Sequence, residues 1–368
     1  MHPGFNGTEL RLARLFSGYS LEEVAASVDK TRQYIHKLET GQSVPTTELA
    51  EALASTLNVD VSFFQQSSPA LVEEGQFHFR KLFTTKVTAK QATVARGELM
   101  SRLVLFLEQE LRLPEIRIPE VDAYATAAEI ELAAERCRSE WGLGNGPVEH
   151  MSRLAENVGA IVTSFSGLSK EVDAMSVSGR RPIIVRNEAK ESACRQRFDI
   201  AHELGHFVMH GGILTGDRQT ESQANRFAGA LLVPRAMMMK LFPRGRGSRL
   251  DWSALSQFKL QWGLSKAASL YRARQLDIIS EAQYKSGAIT LRRTGEALRE
   301  TEDSQIPLEQ PELIGRSLGV LADKKGIFHE DIAILLHVTG DFLTRLIGFT
   351  GPQRLSLGAV PQGLRLVV

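Results

Sequence analysis

The 368 residues exceed what one ordinary hydrophobic core holds, so the chain is expected to divide into two or three domains. With 43% hydrophobic and 24% charged residues and a formal net charge of +1, it has the balance of a folded globular protein; a disordered or fibrous chain is excluded, and charge alone points to no partner. The only cysteines, Cys137 and Cys194, lie outside any C-x-x-C spacing, which excludes a disulfide scaffold and a cysteine zinc knuckle and fits a reducing compartment. Residues 1–6 lack a basic run followed by an apolar one, and no stretch approaches the roughly eighteen consecutive apolar residues of a membrane span. A cytoplasmic protein with no membrane segment is expected.

Along the chain, short helices are predicted over 9–16, 21–28, 31–40, 46–56 and 61–64, a five-helix bundle within residues 1–66. Ser20 stands as an N-cap before Leu21, Glu22 and Glu23, acids suited to a helix N-terminus. The polar run 65–69 ends this unit. Residues 67–121 read as a helical connector, with Leu99, Leu103, Phe106, Leu107 and Leu111 at helical spacing over 89–113 and a stop at Pro114 and Pro119. A further domain is expected over 122–290, beginning with helices over 122–141 and 148–158. Runs rich in β-branched residues at 160–165, 174–178 and 182–185 then suggest a small antiparallel sheet. Helices over 191–210 and 220–232 follow. Residues 251–348 read as mostly helical with one candidate strand at 289–291, and residues 291–368 as a helical C-terminal extension. The fold class is α+β, mostly helical.

The sharpest motif is His202-Glu203-Leu204-Gly205-His206. Histidines at i and i+4 lie on one helix face roughly 5–6 Å apart and can converge on one Zn²⁺. Glu203, beside them, is placed to take a proton from a water that zinc acidifies and to pass it to a leaving amine. A third ligand is needed. His210 is eight residues from His202, about 12 Å along a straight helix, and is set aside. Glu221, fifteen residues after His206 near the start of the next helix, is the better candidate, with Asp217 as runner-up. Asn225, one turn beyond Glu221, faces the same way and can hold the second nitrogen of a ligand imidazole.

Residues 195–210, followed by Glu221-Ser222-Gln223-Ala224-Asn225-Arg226-Phe227-Ala228 and on to Pro234, resemble the ImmA/IrrE family of zinc metallo-endopeptidases over about 123–284. The resemblance implies a gluzincin-like domain with His202, His206 and Glu221 as zinc ligands and Glu203 as the catalytic glutamate. Members often carry a second acid where this chain has Gln223, which favours Glu221 further. Their substrates are typically transcriptional repressors, cut in response to stress or a mobile-element signal.

Residues 20–41 contain two helices around a short turn, with Ala25 at the crossing and Val24, Val28, Ile35 and Leu38 on the inner face. This segment resembles the Cro and lambdoid-repressor (XRE) helix-turn-helix, and the similarity runs on to Phe64. The second helix of that motif enters the major groove of double-stranded DNA, which places Thr31, Arg32, Gln33 and Lys37 at the operator. Arg32 can bridge guanine and Gln33 adenine. Two positions depart from the pattern: Leu21 replaces a phosphate-touching glutamine, and Asp29 replaces the turn glycine. Residues 1–64 hold five Lys or Arg against eight Asp or Glu, a net of −3, so phosphate attraction is weak and a homodimer is expected to compensate.

Weaker signals are a basic loop (Arg235, Lys240, Arg244, Arg246, Arg249), Met237 to Met239, and Arg272 and Arg274 as candidate cleft residues. Cys194 lies too far from His202 along one helix to act as a thiolate switch. A helix-turn-helix cadence over 330–348 suggests a docking or sensing element. Together these readings predict a DNA-binding transcriptional regulator with a zinc-dependent endopeptidase that cleaves a repressor. The alternatives are a repressor or antitoxin whose metallo-domain senses without cutting, and self-cleavage within 67–80.

Overall fold

The structure, a computed structural model, describes residues 4–66, 76–79, 87–122, 125–165, 175–187, 191–213, 215–245 and 249–354. The N-terminal unit consists of α1 (Gly7–Ser17), α2 (Leu21–Ser27), α3 (Arg32–Glu39) and α4 (Thr47–Leu57), closed by a 3-10 turn at Val61–Gln65. Its helix starts are encoded locally. Ser20 and Glu23 form a capping box, and Thr31 and Thr46 accept hydrogen bonds from the Tyr34 and Leu49 N–H groups. Asp29, between α2 and α3, has φ 50°, a left-handed conformation that glycine adopts most easily and aspartate tolerates. The acid can therefore stand at the turn. Val24, Ala25, Ile35 and Leu38 are buried, and Arg14 of α1 binds both carboxylate oxygens of Glu39, which locks α1 to α3.

A short strand, β1 (Phe77–Phe79), precedes the long helix α5 (Val87–Glu110). Three alternating residues are too few for periodicity to register, and the sequence reading had only a helix in this region. Next come α6 (Ala127–Glu140), α7 (Met151–Asn157), β2 (Ile161–Phe165), β3 (Met175–Ser178) and β4 (Pro182–Asn187). The sheet order is β1-β3-β4-β2, with β1–β3 and β3–β4 antiparallel but β2–β4 parallel. The expected antiparallel sheet is thus a mixed one. β4 lies beside β2, and residues 161–163 and 183–187 are buried on both faces, as parallel neighbours usually are, with the polar Thr163, Arg186 and Asn187 among them.

The chain continues through α8 (Ala193–Met209), α9 (Arg218–Leu232), α10 (Arg235–Leu241), α11 (Trp252–Trp262), α12 (Lys266–Gln275), α13 (Glu281–Arg293), α14 (Leu313–Val320), α15 (His329–Leu335) and α16 (Gly340–Ile347). The candidate strand at 289–291 lies inside α13 instead. A Ser280–Gln283 capping box starts that helix, and the helical turn buries Leu291 while leaving Ile289 exposed, so local β propensity is overridden. Among the described residues no helix is long and apolar enough to cross a membrane.

The sheet separates two cores. Ile161, Val177, Ile183 and Val185 pack with the N-terminal unit, α5 and α14–α16, whereas the alternating residues Val162 and Ile184 pack with α6–α9, α11 and α12. The C-terminal helices sit directly on the N-terminal unit: Val338 bridges Val59, His337 Nδ1 lies 2.6 Å from Ser62 Oγ, and the Phe342 ring is 4.2 Å from that of Phe16.

Glu156 of α7 anchors α14 by accepting the N–H groups of Glu312 and Leu313 at 3.0 and 2.9 Å. Burial pushes its carboxyl from 4.5 up to about 7, outweighing these hydrogen bonds. An acid with a raised folded-state pKa favours unfolding where only the unfolded form ionises. Stability should therefore fall as pH rises from 4.5 to about 7, by up to about 3 kcal/mol, and level off above. Denaturation of Glu156→Gln across that range should show a flatter profile than the wild type; identical profiles would remove Glu156 as the cause.

Candidate metal centre

Helix α8 carries the His202–His206 pair, and nearly its whole length is buried, against the sheet on one side and α9 on the other. Arg197, one turn before the motif, holds the helix by donating to Glu309 and to the Val148 carbonyl. Gly205 explains the close approach of α9: a Cβ there would stand 3.0 Å from the Phe227 ring. A larger residue would push away the helix that carries Glu221.

The side chains converge as the spacing predicts. His202, His206 and Glu221 offer ligand atoms that all lie within 4.8 Å of one another. The two Nε2 atoms are 3.0 Å apart, and each lies 3.4 Å from an oxygen of Glu221. A tetrahedral centre with bonds of about 2.0–2.1 Å has donor separations of about 3.3–3.4 Å. Asp217, the runner-up ligand, is instead the N-cap of α9, accepting from the Gln219 and Thr220 N–H groups.

The hydrogen-bond network fixes which imidazole nitrogens face the centre. His202 Nδ1 is 3.1 Å from Asn225 Oδ1, so it donates and leaves Nε2 with a lone pair. For His206 the order passes through three residues. Gln223 Nε2 donates to the Ala125 carbonyl, which turns Oε1 toward His210 Nε2 at 3.0 Å. His210 therefore protonates Nε2 and accepts at Nδ1 from His206 Nδ1 at 2.9 Å. His206 Nε2 is left with a lone pair. Two lone pairs 3.0 Å apart, beside a buried Glu221 Oε1 that has no hydrogen-bond donor, need a cation. The residues present fit zinc: imidazole, imidazole and carboxylate are its usual donors.

The Gln223–His210 relay was not read from the sequence, although His210 is one turn beyond His206 on the same face. His210→Ala should weaken zinc binding about 10–100-fold, since loss of a ligand's outer partner costs that much. Competition with a chromophoric chelator measures it, and an unchanged affinity would show the relay to be idle.

Glu203, also buried, accepts a hydrogen bond from Ser176 Oγ of β3. No sequence signal marked Ser176, because the contact joins a strand to a helix across 27 residues. Cys194 is buried and its thiol is pushed up to about 12, chiefly by that burial, so it carries no thiolate to the site. Arg272 is buried, with its guanidinium bound to Glu131 and the Val233 carbonyl, and Arg274 pairs with Glu281. Met238 fills the core, whereas Met239 is exposed. Arg246 of the basic loop lies outside the described residues.

Thr31, the N-cap of α3, and Arg32, Gln33 and Lys37 within that helix are all exposed. Arg32 Nε lies 2.7 Å from Glu22, with both side chains mostly in solvent.

Residues 155–274 match the family model described as the IrrE N-terminal-like domain (Peptidase_M78), and residues 10–64 match that described as helix-turn-helix (HTH_3). No curated protein matches the chain.

Proposed function

We propose that this chain, which joins an XRE-type helix-turn-helix to an ImmA/IrrE-type peptidase domain, is a cytoplasmic DNA-binding transcriptional regulator that hydrolyses a peptide bond in a regulatory protein, a repressor under stress or mobile-element control. The observation that carries the reading is the convergence of His202, His206 and Glu221, with Glu203, a buried carboxylate that accepts from Ser176, following His202 on the same helix. Zinc held by that triad would supply Lewis acidity, polarising a carbonyl and lowering the pKa of a water. The rest falls to the chain. Glu203 takes the water's proton on a carboxylate oxygen and returns it to the departing amine. Ser176 fixes the rotamer in which that oxygen is presented, and Asn225 and His210 keep both imidazoles turned inward.

Glu22 competes with DNA for Arg32. Glu22→Gln should therefore tighten operator binding about 2–5-fold at low salt, the scale of one exposed ion pair; gel-shift titration checks this, and weaker binding would place Glu22 itself at the DNA. A homodimer on a two-fold operator would supply the affinity that the acidic N-terminal unit lacks. Joining both activities raises the effective concentration of the peptidase near a repressor on the same operator.

Reporter output and immunoblots of neighbouring repressors in cells carrying wild type, Glu203→Gln or Arg32→Ala test the reading. If Glu203→Gln keeps its metal, loses regulation and lets a full-length repressor accumulate, the site cuts protein. Regulation intact in Glu203→Gln but lost in Arg32→Ala would instead make the metallo-domain a non-catalytic sensor.

A further inference from the structure

The strand that holds Glu203 also carries an unexpected neighbour. In the order β1-β3-β4-β2, β3 has β4 on one side and β1 on the other, so β1 closes an edge of β3 that would otherwise be open. The pairing is antiparallel, with Phe77 opposite Val177, His78 opposite Ser176 and Phe79 opposite Met175. Ser176 is the residue whose hydroxyl binds Glu203. A backbone segment from between the two matched regions, residues 10–64 and 155–274, thus runs in extended form past the position that orients the proposed base.

An open strand edge presents free N–H and C=O groups, and an extended peptide that adds to it gains main-chain hydrogen bonds whatever its side chains. We propose that the outer edge of β3 is where a substrate segment lies for cleavage, and that β1 occupies this edge in cis as an internal competitor. The inference rests on the peptidase reading of the metal centre and adds to it a substrate class and a regulation. The substrate segment is extended, supplied by an interdomain linker or an unfolded stretch, because only such a chain can replace β1 in the ladder. The competitor is weak by construction: β1 has three paired residues, so tethering rather than intrinsic affinity keeps it in place. Whatever draws the connector away from the sheet opens the site.

The test needs no cleavage. In the full-length, zinc-loaded chain carrying Glu203→Gln, binding of a fluorescent synthetic peptide copying residues 74–82 is compared with and without F77P/H78P. Consecutive N–H groups of a strand point to opposite edges, so the two prolines remove the donor that faces β3 in either phase. The proline variant should bind the peptide at least tenfold more tightly than its parent, and the β3 amides should exchange faster when no peptide is present. Replacing residues 76–79 by Gly-Ser-Gly-Ser should act in the same direction should the prolines disturb folding, and His78→Ala should resemble the parent. Equal binding to parent and variants, or none to either, with unchanged β3 exchange, would overturn the proposal. Tighter binding by the proline variant, together with no cleavage of any extended peptide by the zinc-loaded chain with Glu203 restored, would instead overturn the peptidase reading and leave the strand competition standing.

Discussion

Glu203→Gln should lower peptide hydrolysis by about 10²–10⁴-fold while leaving zinc content unchanged, the loss expected when a positioned general base is removed. Glutamine preserves the size of the side chain and still accepts the Ser176 hydroxyl, so the packing between β3 and α8 survives. What disappears is the oxygen that can bind a proton. Initial rates on a saturating peptide, with zinc measured on the same samples, separate the cases. A drop in rate with full zinc assigns the proton step to Glu203, whereas a parallel loss of zinc would mean that the carboxylate supports the metal instead.

Glu131→Ala should cost about 3–5 kcal/mol of folding stability, the usual penalty for removing one partner of a buried ion pair. Glu131 of α6 receives both terminal nitrogens of Arg272 from α12, in the interior, and one of the partly buried Arg226 from α9. Arg272 is 1% exposed and also caps the Val233 carbonyl at the end of α9. Without the carboxylate, the Arg272 and Arg226 guanidinium groups, which both donate to Glu131 Oε1, lose that shared acceptor beside the helix that carries Glu221 and Asn225. Chemical denaturation should register the loss, and zinc affinity should fall with it because α9 loosens. Glu131→Gln, which still accepts a hydrogen bond, should lie between Ala and wild type. A change under 1 kcal/mol, the scale of a surface pair, would show that water reaches this cluster.

What could be read from sequence follows from distance along the chain. His202, Glu203 and His206 share one turn of α8, and Glu221 and Asn225 share one turn of α9; helix geometry alone aligned each group. Gly205 stands in the motif for a reason that only the packing displays, the Phe227 ring against it. The sheet was legible as strands but not as a topology, since the runs at 161–165 and 182–187 carry β propensity without stating which neighbour they take. Ser176 and the Gln223–His210 relay were invisible because each joins distant segments through a single polar atom. The strand at 77–79 was missed for a related cause: its ladder is made by backbone groups, which every sequence has. Of the connector over 67–80, only 76–79 lies within the described residues, so self-cleavage elsewhere in it falls outside them.

The most direct test of the zinc peptidase is cleavage of a peptide library derived from cellular proteins, read by mass spectrometry of new termini. The protein would be stripped of metal and then titrated with zinc. New termini should be absent from the metal-free chain, appear in proportion to zinc up to one equivalent, and never appear with Glu203→Gln at full zinc. No new termini from wild type holding one equivalent, or the same termini from Glu203→Gln, would contradict the account.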